Sequence, residues 1–293
     1  MSGPTSRPEP GDFLATMAAS SRARSGAAQT ALPAREVKAR IADLPAAPAL
    51  RLGAFDLIAE VKLRSPAVGL LKAAAAEDVG ARVASYARAG AAAVSILTEP
   101  SRFDGSLEDL AAGARALQPL AVPAMRKDFL VDAYQVFEGR LAGASGVLAI
   151  LRMLPRADLE QLIDAALELN MFVLLETFDA PDIELAHVLV DARRAQRSLL
   201  LVGVNSRDLA TLKVVPGRLD ALAASLPSEV KRVAESGVAT PADAARAAAS
   251  GYDLALVGSA LMSSPQPAEL ARAMLAEGRA AVTARASLVG ARA

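Results

Sequence analysis

Residues 146–176 read GVLAILRMLPRADLEQLIDAALELNMFVLLE. An unbroken apolar run, Gly146–Ile150, is followed by a helical segment, Arg156–Leu169, and then by a second apolar run, Phe172–Leu175, that closes on Glu176. Strands of a sheet covered on both faces read this way, because no position alternates toward water. The unit is therefore strand, helix, parallel strand. The same rhythm extends in both directions from Asp56 onward. Leu57–Val61, Ala92–Leu97, Val122–Met125, Leu199–Val204, Val230–Ala234 and Leu254–Val257 supply the other short runs. Helical segments are expected at Glu77–Ala89, Ser106–Leu117, Asp132–Ala142, Pro181–Val190, Gly217–Ser225, Pro241–Ala249 and Pro267–Glu277. Gly90, Gly143 and Gly251 stand where a helix ends in a left-handed residue, and Pro181 and Pro241 stand in first turns.

Eight strand–helix units in a chain of this length favour an α/β fold of the closed (β/α)8 barrel type over a doubly wound open sheet. No GxGxxG or Walker A segment opens the first unit, as an open nucleotide-binding sheet would ordinarily require. Residues 1–55 are expected to be an extension with helices near Leu14–Arg24 and Pro33–Asp43, packing on a barrel of residues 56–293.

Composition narrows the chemistry. The 293 residues include 68 alanines, no cysteine, no tryptophan and a single histidine, His187. Disulfides, thiolate metal sites and cysteine nucleophiles are excluded, and a Ser-His-Asp triad or histidine zinc site would rest on His187 alone. His187 falls inside a helix and is read as structural. Acidic and basic residues balance at 32 each, so no net field favours nucleic acid or an anionic membrane. No apolar stretch is long enough to span a bilayer, and the start lacks a secretory pattern. A cytoplasmic protein is expected, acting on a small molecule as a monomer or dimer.

Chemistry in such barrels gathers where strands end. Those ends carry Glu60-Val61-Lys62 with Ser65-Pro66, then Arg126-Lys127-Asp128-Phe129, Glu176, Asn205-Ser206-Arg207, Glu235-Ser236-Gly237 and Gly258-Ser259. Glu60 and Lys62 are two apart and share a face, either as a self-satisfied buried pair or as a catalytic one. Only 6 of the 32 basic residues are lysines, and Lys62 and Lys127 both fall on this rim. An ammonium can give up a proton during catalysis, whereas a guanidinium practically cannot. Glu176, at the end of an apolar run, is either a general acid or base or a cap of the next helix. Asn205 and Arg207 fit substrate orientation. Ser236-Gly237 and Gly258-Ser259 fit anion binding by backbone N–H groups, with a short helix starting near Ala260.

These segments, with Ile58-Ala59 before Glu60, Phe103-Asp104-Gly105-Ser106 and Gly203-Val204-Asn205-Ser206-Arg207-Asp208-Leu209, resemble the indole-3-glycerol-phosphate synthase family, in order, from about Leu57 to Met262. The resemblance implies ring closure of 1-(2-carboxyphenylamino)-1-deoxyribulose 5-phosphate with loss of carbon dioxide and water, with no cofactor and no metal. It implies Lys127 as general acid, Lys62 at the substrate carboxylate or as a second acid, and Glu60 and Glu176 in base and relay work. Asn205 would position the substrate, and Glu235 would hold a lysine or a substrate hydroxyl. Ser65, Gly237, Gly258 and Ser259 would take the phosphate, Ser236 and Arg207 would bind other parts of the substrate, and Phe129 and Leu209 would wall the ring. Ala67, Asp104 and Thr177 depart from the family's usual residues and leave room for a paralogue of a specialised pathway. Another phosphate-binding barrel enzyme, such as a phosphoribosylanthranilate isomerase, is the competing reading. A barrel that has lost catalysis is a further one.

Overall fold

Each of the eight apolar runs forms a strand: β1 (Asp56–Val61), β2 (Ala93–Leu97), β3 (Ala124–Lys127), β4 (Gly146–Ile150), β5 (Phe172–Thr177), β6 (Leu200–Asn205), β7 (Lys231–Glu235) and β8 (Leu254–Val257). The structure, a computed structural model, describes residues 13–65, 69–71 and 77–290. All eight strands pair in parallel with their neighbours in sequence. The first then closes on the last, with Asp56 opposite Leu254 and Ile58 opposite Leu256. The (β/α)8 barrel expectation holds.

Alternation along each strand divides the core in two. Ile58, Met125, Leu148, Phe172, Leu174, Leu201, Val233 and Leu254 fill the lumen. Leu57, Ala59, Val94, Val147, Val173, Val202 and Ala255 face outward against the helices. Space inside the lumen is tight: a Cβ on Gly146 would lie 2.4 Å from the Phe172 ring.

The covering helices are α3 (Val79–Arg88), α5 (Leu107–Leu117), α6 (Ala133–Leu141), α7 (Arg156–Glu168), α8 (Ala180–Ala192), α9 (Arg218–Ala223), α10 (Pro241–Ser250) and α12 (Pro267–Gly290). The short α4 (Pro100–Phe103) and α11 (Ser259–Ser263) lie at the strand ends. Capping residues start many of these helices: Asp78, Ser106, Asp132, Asp179 and Thr240 each accept a bond from a first-turn backbone N–H. Gly90, Gly143 and Gly251 follow helices with φ of 102°, 97° and 107°, as their positions in the sequence suggest.

Before the barrel come α1 (Phe13–Ala31) and α2 (Ala34–Ala42). Helix α1 is sewn to the region after β3. Arg24 donates to both oxygens of Asp128 at 3.0 and 2.8 Å, Ser25 donates to Asp132 at 2.7 Å, and Gln135 donates to Ser21 at 2.9 Å. Tyr134 reaches the Ala28 and Leu32 carbonyls from α6. Among the described residues no helix is long and apolar enough to cross a membrane.

Several boundaries differ from the sequence expectation. Strand β3 starts at Ala124 rather than Val122 and runs through Lys127, and β5 runs past Leu175 to Thr177. Apolarity marks where a buried strand lies, but a charged side chain pointing into a cleft does not end the ladder. Helices α1 and α12 continue well beyond Arg24 and Glu277, through alanine-rich turns that carry the helix past Gly26 and Gly278. Pro66 and Ala67 lie outside the described residues, as do residues 1–12.

Candidate active site

A cleft of about 290 Å³ opens at the carboxyl ends of the strands. Its floor is polar and its sides are apolar, and that contrast follows from strand position. The lumen-facing side chains low in the barrel are hydrocarbon. The next inward positions toward the C-terminal ends are Glu60, Lys127, Glu176, Asn205 and Glu235.

Two charged clusters occupy the floor. Lys62, one residue beyond β1, donates to Glu60 Oε1 at 2.7 Å. Across the lumen, Lys127 lies 3.2 Å from Glu235 Oε2 and 3.5 Å from Glu176 Oε1. Asn205 Nδ2 donates to that same Glu176 oxygen at 3.0 Å, while Asn205 Oδ1 accepts from the Arg207 backbone at 2.9 Å. Burial disfavours a charged Lys127, yet Glu235, Glu176 and Glu60 outweigh it and hold the ammonium above the ordinary lysine value. Burial would likewise raise Glu60, but Lys62 and Lys127 hold its carboxyl below the usual range. Glu235 goes the other way. Burial and the neighbouring Glu176 push it well above the usual carboxylate value, against the pull of Lys127. One ammonium thus holds two buried carboxylates, and Glu235 takes a proton more readily than a free glutamate.

Arg207 borders the cleft, and its guanidinium donates to the Leu212 carbonyl. Ser236 and Gly237 both adopt left-handed backbone, at φ 62° and 78°. The Ser206 hydroxyl holds the Ser236 carbonyl at 2.9 Å. A serine in that conformation is strained and persists where its surroundings fix it. Gly258 and Ser259 lead into α11, and Ser65, after the neighbouring strand β1, also lines the cleft. Phe129 and Leu209 stand on the apolar sides. Every residue expected at the site therefore borders one cleft or, for Gly258, its floor.

One placement changes the expectation, and two others are settled. Arg126 does not join the rim: it faces outward from the barrel, fully buried, and donates to Thr98 at 3.1 Å, to the Gln135 carbonyl at 2.7 Å and to Glu138 at 2.8 Å. Its neighbour Lys127 points inward because side chains alternate along a strand. Glu176 does not cap α8, since Asp179 does. His187 lies away from the cleft, with Nε2 2.9 Å from the Ser225 carbonyl.

Sequence reasoning missed the aromatic lip. Phe13 meets the Phe129 ring edge-on at 5.7 Å, and Phe103 lies 6.1 Å from it. Three of only seven phenylalanines meet here, and that scarcity was the available signal. Leu148 and Ile150, two apart on β4, also face the cleft. Among the described residues no group of three or more His, Asp or Glu side chains is arranged to hold a metal ion.

Fold and cleft together define a (β/α)8-barrel enzyme with a lysine–carboxylate centre. Comparison with known proteins narrows this. A family model described as indole-3-glycerol phosphate synthase matches residues 17–274. An indole-3-glycerol phosphate synthase of a Nocardioides species is 41% identical over 254 residues, covering 83% of this chain and 93% of that protein. One from Mycobacterium leprae is 38% identical over 250 residues, covering 84% and 87%. The chain belongs to the indole-3-glycerol phosphate synthase family. Solved structures with the same fold include 3-hexulose-6-phosphate synthase from Salmonella typhimurium, with TM-score 0.56, 15% identity and coverage of 79% and 100%. Thiamine phosphate pyrophosphorylase from Pyrococcus furiosus has TM-score 0.55, 13% identity and coverage of 78% and 97%. At such identities these two show the barrel alone.

Proposed function

We propose that this cleft converts 1-(2-carboxyphenylamino)-1-deoxyribulose 5-phosphate to indole-3-glycerol phosphate, carbon dioxide and water, as a step of tryptophan biosynthesis. The observation that carries the reading is the Lys127 ammonium, held at the cleft floor by Glu235 and Glu176 beside an aromatic lip. The chemistry needs those parts. A ring carbon of the substrate attacks a ketone, whose oxygen gains charge as the carbon–carbon bond forms. Lys127 gives that oxygen a proton, a contribution of typically about 10²–10⁴ in rate. The attacking ring carbon then sheds its carboxyl group as carbon dioxide, and the bonding pair restores the aromatic ring.

Dehydration follows. The new hydroxyl leaves as water after receiving a proton, and the carbon between it and the ring nitrogen loses one. Lys62 serves as the acid for the leaving hydroxyl, paired with Glu60, whose carboxyl is held below the usual range. Glu176, held by Asn205, is placed to take the carbon-bound proton. Ser65, Ser236, Gly237, Gly258 and Ser259 hold the phosphate with backbone N–H and hydroxyl groups, which anchors the molecule away from the reacting carbons. Arg207 supplies further positive charge at that end. Phe129, Leu209 and the additional Phe103, Leu148 and Ile150 enclose the benzene ring. The proposal includes a cytoplasmic setting and operation as a monomer or dimer.

The test is a product assay on the purified full chain with the carboxyphenylamino-deoxyribulose phosphate. Indole-3-glycerol phosphate and stoichiometric carbon dioxide are expected. Isomerisation of phosphoribosylanthranilate without indole-glycerol formation would overturn the reading.

A further inference from the structure

Gly203 faces the lumen on β6, two residues before Asn205. Its register partner on β5 is Glu176. Glu235 leans over it from β7. A Cβ built on Gly203 would lie 2.2 Å from Glu235 Oε1, and 3.1 Å from both Glu235 Cδ and Leu174 Cδ1. No left-handed backbone explains the glycine, because Gly203 is not among the residues of positive φ. The empty volume is the explanation. Any side chain at 203 would stand between the two carboxylates that hold Lys127. Glu235 Oε1, the atom seated there, has no hydrogen-bond partner in the structure. Its placement therefore rests on packing, on the other oxygen's contact with Lys127 and on the neighbouring Glu176 carboxyl.

The seat is tied down from the other side. Thr177, one residue after Glu176 and fully buried, donates from Oγ1 to the Gly203 carbonyl at 2.7 Å. A buried hydroxyl bonded to a strand carbonyl fixes the lateral position of β6 where the carboxylate passes.

We propose that Gly203 and Thr177 are positioning residues for Lys127: the missing side chain at 203 seats the Glu235 carboxylate, and the Thr177 hydroxyl holds the strand that carries the seat. The inference rests on the reading of Lys127 as the acid of ring closure. Neither residue touches substrate; each acts through Glu235.

Two readouts test it. The first is the titration of Lys127 by carbon-13 lysine labelling of the full chain, which has only 6 lysines, with K127M assigning the signal. In the wild type Lys127 is expected to titrate above the ordinary lysine value. In G203A the displaced Glu235 withdraws support, and the midpoint is expected to fall toward that ordinary value. The second is a cycle with E235D, whose shorter side chain draws back from the seat. G203A is expected to lower kcat about tenfold or more with KM within about threefold, but to cost less than about threefold when E235D is already present. T177V is expected to lower kcat several-fold, and T177S to restore it.

An unmoved Lys127 titration in G203A, or the same fold-loss in both backgrounds, overturns the proposal. Should G203A fail to fold, a folded G203A/E235D supports the seat, and failure of both counts against it. The lysine titration needs no turnover. A wild type that makes no indole-glycerol phosphate would thus sink the proposed function while leaving the seat to be judged separately.

Discussion

Replacing Lys127 by methionine removes the ammonium and keeps much of the side chain's length. The structure sets two consequences. Turnover loses the acid, a drop of about 10²–10⁴ in kcat, or roughly 3–6 kcal/mol at about 1.4 kcal/mol per tenfold. Stability loses the counter-charge of Glu235 and Glu176, which are almost fully buried at 1% and 3% exposure. Stripping one partner from a buried charge cluster costs about 3–5 kcal/mol when the remaining charge cannot escape. Here it can, because Glu235 already sits well above the usual carboxylate value and rises further without the lysine. For a carboxyl raised in the folded state, the penalty is absent below the unfolded value near 4.3 and complete above the folded one. The thermal deficit of K127M against wild type should therefore be largest at alkaline pH and shrink as pH falls toward the unfolded carboxylate value of about 4.3. Converted at about 2 °C per kcal/mol, the upper limit is about 10 °C. Steady-state assays of product and calorimetric melts across pH measure the two parts. A folded K127M that turns over within about threefold of wild type would refute Lys127 as the acid. A deficit that does not change with pH would refute the buried-charge argument.

Three further outcomes follow from the same geometry. Glu60 and Asp128 both sit below the usual carboxylate range, because Lys62 and Lys127 outweigh burial at the first and Arg24 and Arg126 at the second. Their contribution is complete above about pH 4 and lost as pH falls through the folded values, so E60Q and D128N should flatten the acid limb of a melting-temperature profile. R24A removes two charge-assisted bonds to Asp128 and should cost about 1–2 kcal/mol in urea unfolding, the low end because the arginine is partly exposed. G146A places a methyl 2.4 Å from the Phe172 ring and should destabilise the lumen by about 1–3 kcal/mol, with F172L relieving much of that loss in the same denaturation assay.

The barrel was legible because its strands are buried on both faces. Such strands leave no alternative to continuous apolar runs, and Gly146–Ile150 and Phe172–Leu175 show them most plainly. The rim was legible for a related reason: a charge at the end of an apolar run has few uses other than chemistry. Direction was less legible. Arg126 and Lys127 are adjacent and both cationic, and only the phase of the strand sends one outward to Glu138 and the other inward to Glu235. The sequence expectation ended that strand at Met125, whereas β3 runs through Lys127, so the alternation that sorts the two cations was not carried across them. The aromatic lip was illegible for a different reason. Phe13, Phe103 and Phe129 come from three separate parts of the chain, and only barrel closure with α1 laid across it brings them together.

Glycine shows what the sequence could not specify. Gly258 was read as an anion-binding residue at a strand end, which its position in the cleft still allows. Its missing Cβ has a second use: an atom there would lie 2.2 Å from Glu60 Oε1 and 2.9 Å from Lys62 Nζ. Gly203 stands in the same relation to Glu235. Each of the two carboxylates therefore rests on a neighbouring strand at a residue with no side chain, Glu60 from β1 on the end of β8 and Glu235 from β7 on β6. Not every level is cleared in this way, since Asn205 and Glu235 are register partners on β6 and β7 and both face the cleft. At Gly203 and Gly258, however, an empty position lets a carboxylate lean across from the next strand. The lysines and glutamates name the chemistry, and the glycines between them decide whether the charged groups can stand close enough to perform it.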